Sequence, residues 1–309
     1  MPEQSSRIES IDLIGDVVWD THLAVPHLPM PGIEARATSR RRLLGGTASH
    51  VARWLHLLAQ AGLYPAAPPG IRVWAVLDAQ AAEALAFCET DACPRVPAIS
   101  EVFVLTRPDG EKAMISVVPP DLPPRPLPAR STRFYLSAYT LLAPNAREQI
   151  VEPCAALVAQ GAQMVFDLAP LMHQMDRALA QRLVGLAQIA LGNEEEWQRL
   201  FDQQDARKAA RAGLALGAGA VHLKRGAQGS MLFQANGFSR ELPAAASQPI
   251  STAGAGDAYT AAALAALAAG RSHAWAQALA SLCGALHTEQ RPDSDNIAAL
   301  RRVLPSLPS

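Results

Sequence analysis

Short apolar runs of strand character alternate along this chain with segments of helical spacing. Residues 8–18 are rich in Ile, Leu and Val and break at Gly15-Asp16, as a buried strand does where it leaves its sheet. Over 47–61 the apolar positions Val51, Trp54, Leu55 and Leu58 share one helical face. Residues 72–77 return to strand, and 134–137, 164–167, 189–191 and 220–224 continue the series. Between them 145–160, 175–185, 194–201 and 205–216 read as helices, and the alanine-rich run 258–269 predicts one more. Strand and helix alternating at this interval predict a mainly parallel sheet covered by helices on both faces, an α/β fold.

Two stretches break that rhythm. Residues 21–42 carry prolines and short apolar runs, and a proline-rich reach over 94–128 encloses two alternating runs joined by Asp109-Gly110, a hairpin signal. The strand-like segments 17–42 and 101–118 are therefore placed as a small β flap over the C-terminal edge of the sheet, where open α/β sheets bind ligands. Neither repeats nor a long linker divide the 309 residues, so 1–309 reads as a single domain.

Half of the residues are hydrophobic, enough for a large core, and 27 basic against 28 acidic residues leave a formal charge of −1. That balance gives no nucleic-acid footprint. The one basic cluster, Arg36 with Arg40, Arg41 and Arg42, is either an anchor for an anionic group or a solvated face of the flap. Cys88, Cys93, Cys154 and Cys283 have no metal or framework spacing and read as thiols of a reducing compartment. Residues 1–7 are polar, with no secretory core behind them, and no helical run is apolar and long enough for a bilayer; a cytoplasmic protein is the expectation.

The densest chemistry lies in Ser251-Thr252-Ala253-Gly254-Ala255-Gly256-Asp257-Ala258-Tyr259-Thr260. A glycine-rich turn that opens a helix leaves several N–H groups unpaired at the positive end of the helix dipole, an anion site. Asp257 in that first turn favours the helix but repels a bound phosphate. The conflict resolves if Asp257 takes the proton of a hydroxyl attacking the phosphate. The plainer alternative is a Gly/Ala-rich helix start with an ordinary acidic residue.

That segment resembles the C-terminal motif D-T-x-G-A-G-D-x-F of the ribokinase-like (PfkB) carbohydrate kinases. Gly45-Gly46-Thr47-Ala48-Ser49-His50-Val51-Ala52-Arg53-Trp54-Leu55 is similar to the family's G-G-x-x-x-N-x-A-x-x-L. Gly192-Asn193-Glu194-Glu195-Glu196 is similar to its N-x-x-E motif, and Lys224-Arg225-Gly226-Ala227-Gln228-Gly229 to its nucleotide-binding strand and turn. The four stand in the family's order across residues 15–260. The resemblance implies a three-layer α/β/α domain with a mainly parallel central sheet and a small β lid, contributed here by about 17–42 and 101–118. It also implies phosphoryl transfer from ATP, with Mg²⁺, to a small sugar.

Carried over residue by residue, Asp257 becomes the catalytic base, and the amides of Ala253, Gly254, Ala255 and Gly256 the anion hole. Asn193 and Glu196 would hold Mg²⁺, largely through water; the same pair is a helix N-cap and capping box on spacing alone. Lys224, Gly226 and Gly229 border the nucleotide, Lys224 standing where many relatives carry Thr; a surface lysine is its plainer reading. Gly45 and Gly46 would present amides to the acceptor, and Asp20 would accept from two neighbouring hydroxyls. Asp16 either shares that work or ends the strand.

Two departures bear on substrate and ion. His50 replaces the Asn that contacts the sugar, so the acceptor does not carry over from ribose or fructose kinases. Ser251 replaces the Asp that helps hold a monovalent cation, which puts potassium activation in question. Asp167-Leu168-Ala169 stands for the Asp-x-Asn that often follows a middle strand. The expected activity is ATP-dependent transfer to a primary hydroxyl of a small sugar or sugar derivative. Its rivals are a nucleoside kinase and a catalytically weak sugar- or nucleotide-binding relative. No membrane or nucleic-acid partner is expected. Flaps of this kind often pair between subunits, which makes a homodimer through the lid a candidate assembly.

Overall fold

A computed structural model of the chain describes residues 10–64, 67–119, 121–245 and 248–307. The polar stretch 1–7, with Ile8 and Glu9 of the first predicted strand, lies outside the described residues. In chain order the strands are β1 (Ser10–Ile14), β2 (Val18–Ala24), β3 (Ser39–Gly45), β4 (Gly70–Trp74), β5 (Glu101–Thr106), β6 (Lys112–Val117), β7 (Arg133–Ser137), β8 (Gln163–Asp167), β9 (Ile189–Asn193), β10 (Ala220–Lys224), β11 (Ser230–Gln234) and β12 (Ser239–Leu242). The helices are α1 (Thr47–Gln60), α2 (Ala79–Ala84), α3 (Glu152–Ala159), α4 (Arg177–Leu186), α5 (Glu194–Phe201), α6 (Ala206–Ala215), α7 (Ala255–Ala268), α8 (His273–Thr288) and α9 (Asp293–Val303).

Eight strands form the central sheet in the order β12-β11-β10-β9-β8-β7-β1-β4. From β10 to β4 every pairing is parallel; β11 and β12 add an antiparallel hairpin at one edge. The strands alternate between two cores, as their two-residue period requires. Leu13, Tyr135, Val165 and Leu191 face α1, α7 and α8, while Ile14, Phe134, Phe166 and Val221 face α3, α4, α5 and α6. This is the predicted three-layer arrangement. The two segments outside the rhythm pair with each other in a separate four-stranded sheet, β3-β2-β5-β6, in which β2 and β5 run parallel. Its strand β3 runs on to Gly45, so the glycine pair is the junction between the small sheet and α1.

The predicted helix over 145–160 is not continuous. A wide π-helical turn at Arg147–Val151 precedes α3, with Pro153 in the first turn of α3. Proline brings no N–H and its ring crowds the carbonyl four residues back, which opens the ladder there. The strand read over 8–18 ends at Ile14, and β2 of the other sheet begins at Val18. Cys93, Cys154 and Cys283 are buried, and all four cysteines are free thiols. No helix among the described residues is long and apolar enough to cross a membrane.

Candidate functional site

Parallel strands that end in one row bring their last residues together, and here β8, β9 and β10 end in Asp167, Asn193 and Lys224. The loop after β1, Gly15-Asp16, and the start of α7 join that row. Asp167 is the buried hub: Lys224 Nζ donates to its Oδ1 at 2.7 Å and Thr260 Oγ1 to its Oδ2 at 2.6 Å. Burial works against the Lys224 charge, but Asp167, Glu196 and Asp257 more than offset it, and the ammonium is held above its ordinary range.

Gly254 caps α7 with φ +81°, the left-handed region that suits glycine. The turn satisfies part of itself: Ala253 N donates to Ser251 Oγ at 3.4 Å and Ala255 N to the Thr252 carbonyl at 3.2 Å. The amides of Gly254, Gly256 and Asp257 find no acceptor among the described residues. Of the four amides expected to form the anion hole, two are thus engaged in the turn and two remain open. A Cβ on Gly256 would stand 3.4 Å from Lys224 Nζ, so the lysine lies against this helix start.

Asp257 is half-buried in the first turn of α7, and no group among the described residues donates to its side chain. Burial, followed by repulsion from Asp167, Glu196 and Asp20 against the pull of Lys224, raises its pKa to about 8. Several carboxylates around one ammonium leave a surplus of negative charge that a cationic or proton-donating ligand relieves.

Asn193 and Glu196 form the capping box that the spacing allows. Asn193 Oδ1 accepts from Glu196 N at 2.9 Å, while Glu196 accepts from Asn193 N at 2.8 Å and from Asn193 Nδ2 at 2.9 Å. Glu196 is 5% exposed, and burial raises its pKa. Among the described residues no cluster of three or more His, Cys, Asp or Glu is arranged to grip a metal directly. With both Glu196 oxygens engaged, an ion here would be met through water.

The acceptor candidates gather where the small sheet joins the core. The Asp20 carboxylate lies where a Cβ on Gly45 would stand, so a side chain at position 45 would displace it. Asp20 has no donor among the described residues, and burial raises its pKa to about 6. Gly46, at φ +90°, packs on the Asp16 carbonyl, and Asp16 forms an ion pair with Arg125. Burial, with His287 next in effect, lowers the His50 pKa to about 4, so its ring is neutral. Gly226 and Gly229 turn the chain from β10 into β11, with Arg225 N donating to the Gly229 carbonyl at 2.8 Å.

The arginine run is divided by the two-residue period of its strand. Arg40, Arg41 and Arg42 are exposed on β3; Arg42 stacks on Trp19 at 4.3 Å and pairs with Glu101 on one face of the small sheet, while Arg41, opposite His22, lies on the face that carries Asp20. Three residues passed over in the sequence stand at the site. Tyr139 follows β7, and burial, Glu196, Asp257, Asp16 and Asp20 push its phenol up to about 12. Arg125 and His287 are the others; no local motif marks any of the three.

The family model for pfkB family carbohydrate kinases matches residues 118–298, more than half of the chain. No curated protein sequence matches it. Among solved structures, a ribokinase from Thermotoga maritima is 18% identical, with a TM-score of 0.75 over 95% of this chain and 99% of its own. The Arabidopsis thaliana ribokinase complexed with ribose and ATP is 19% identical, with a TM-score of 0.73 over 96% and 99%. A Burkholderia thailandensis nucleoside kinase in complex with inosine is 18% identical, with a TM-score of 0.74 over 97% and 99%. At these identities the structures carry the fold, and the family match carries the membership: the chain belongs to the pfkB family of carbohydrate kinases.

Proposed function

We propose that this carbohydrate kinase transfers the γ-phosphoryl group of ATP, directly and in line, to a primary hydroxyl of a small sugar or sugar derivative. The observation that carries the reading is the partnerless Asp257 carboxyl beside the open amides of Gly254 and Gly256. In its ionised form Asp257 accepts the hydroxyl proton as the oxygen attacks phosphorus. The two amides receive the charge that builds on the transferred group, and Lys224 adds a fixed positive charge beside them. Asp20 and Asp16 bind neighbouring hydroxyls of the acceptor, with Gly45 and Gly46 giving close approach and His50 packed behind them. Gly226 and Gly229 shape the turn that borders the nucleotide.

Mg²⁺ fits this surroundings: Asp167, Glu196 and Asp257 outnumber the one ammonium among them. Glu196 and Asn193 would hold it through water, and it would offset charge on the nucleotide phosphates. The small sheet acts as the lid that excludes water, the competing acceptor. Its edge strand exposes Met114, Ile115 and Val117, and Val118 follows, an apolar edge suited to a second copy of the chain. The free thiols suit a reducing, cytoplasmic setting.

A nucleoside acceptor is the second reading, favoured by a likeness to a kinase complexed with inosine as close as that to the ribokinases. Release of ADP from ATP and Mg²⁺, measured across neutral sugars, sugar acids, sugar phosphates and nucleosides, separates the two. A sugar that accelerates release while nucleosides leave it at the background rate upholds the first; the reverse order overturns it in favour of the second.

A further inference from the structure

The phosphoryl-binding turn is propped from behind by a buried histidine. His287, in the last turn of α8, is 7% exposed, and Trp54 of α1 is 1% exposed. Trp54 Nε1 donates to His287 Nδ1 at 3.0 Å, and on the other side of the ring His287 Nε2 lies 2.8 Å from the Ala253 carbonyl oxygen. An indole N–H only donates and a peptide carbonyl only accepts. The imidazole between them therefore accepts at Nδ1 and donates from Nε2, which is the neutral Nε2–H form. Burial, which favours the uncharged ring, acts in the same direction.

The Ala253 carbonyl and the Gly254 N–H belong to one peptide unit. In a planar trans peptide these two groups point to opposite sides. Turning the carbonyl onto His287 turns the Gly254 N–H away from it, and that amide is one of those without an acceptor in the protein. The ring also fills the space beside the turn: a Cβ on Gly254 would stand 2.7 Å from His287 Nε2. His50, on the same helix as Trp54, meets His287 edge-on with ring centroids 6.2 Å apart. A single ring thus touches the phosphoryl turn and the helix that opens at the acceptor glycines.

We propose that His287 is a positioning residue of the kinase reaction: anchored by Trp54, it fixes the Ala253–Gly254 peptide so that the Gly254 N–H faces the transferred phosphoryl group. The inference rests on the reading of Gly254 as an anion-hole donor. A peptide held in advance loses nothing to reorientation when charge develops on the phosphoryl oxygens, whereas a loose one must be ordered in the transition state.

The test compares, by calorimetry, the affinity for MgADP alone with that for MgADP plus tetrafluoroaluminate, a mimic of the phosphoryl group in flight. His287→Ala is expected to leave MgADP affinity unchanged and to cut the gain from tetrafluoroaluminate by about 10-fold or more. His287→Gln, which keeps an N–H donor near the Nε2 position, is expected to restore part of that gain. Asp257→Asn keeps the amides and is expected to retain it. Loss in Asp257→Asn as well would indict the phosphoryl site itself, and a full gain in His287→Ala alone would overturn the positioning role. Should His287→Ala fail to fold, Trp54→Phe removes the anchoring N–H and is expected to reduce the gain in the same direction. Nitrogen-15 NMR of the unaltered protein at neutral pH gives an independent reading. Protonated Nε2 with bare Nδ1 upholds the proposal, and the opposite tautomer or an imidazolium refutes it.

Discussion

Replacing Asp257 by asparagine tests stability and catalysis together, because the carboxylate is useful to the reaction for the same reason that it burdens the fold. The folded chain holds this acid near pKa 8 against an ordinary 3.8, through burial and the carboxylates of Asp167, Glu196 and Asp20. A raised folded pKa means that the folded state binds the proton more tightly than the unfolded chain. Stability is then highest below about pH 4, declines as pH rises, and stops declining above about 8. At pH 7 the burden is at most about 4 kcal/mol, and solvent at the half-buried carboxyl brings it nearer 2 kcal/mol. Asparagine has no proton to lose, so the variant is expected to be more stable, by about 4 °C in Tm at neutral pH. The gain should be larger at pH 8 than at pH 5. Turnover should fall by about 100-fold or more, with ATP affinity little changed. Calorimetric unfolding at both pH values and steady-state ADP release supply the two readouts. A variant less stable than the parent at every pH, or one that turns over normally, would refute the reasoning.

Further expectations follow from neighbouring groups. In the parent enzyme kcat/KM should rise with pH and level off above about 8, as Asp257 ionises; a profile flat from pH 6 to 9 contradicts its role as base. Lys224→Met strands the Asp167 carboxylate, which is 4% exposed, and should cost about 3 kcal/mol of stability in denaturant unfolding, besides weakening ATP turnover. Gly45→Ala drives a methyl group into the Asp20 carboxylate and should raise acceptor KM about 10-fold while nucleotide affinity, read by calorimetry, stays put. Replacing potassium by a bulky organic cation should change activity less than about 2-fold, because the Ser251 hydroxyl is used within the turn and brings no charge to an ion site.

Much of this arrangement is legible in the amino-acid sequence, and the limits have physical causes. Parallel strands buried on both faces and glycine turns at helix starts leave local marks, so the layers, the small sheet, and the Gly45-Gly46 and Gly254–Asp257 turns could be read directly. The capping box at Asn193 and Glu196 could be read too, though not that it occupies both carboxylate oxygens of Glu196. The hairpin of β11 and β12 went unread although Asn236-Gly237 signals its turn. The helices α8 and α9 likewise fell outside the reading. Arg125, Tyr139 and His287 escaped for another reason. Each reaches the site across more than a hundred residues of chain from some of its partners, as His287 does to Trp54, and no spacing rule encodes such a contact. The arginine run illustrates the converse, a conspicuous pattern that the two-residue period of β3 divides between the two faces of the small sheet.

The most direct measurement is the crystal structure of the enzyme with MgADP, tetrafluoroaluminate and an acceptor found in the ADP-release panel. The account predicts an Asp257 carboxylate oxygen about 2.6–3.2 Å from the acceptor hydroxyl, with the Gly254 and Gly256 amides donating to the planar fluoride group. An Asp257 side chain turned away from the acceptor, or amides directed elsewhere, would contradict it.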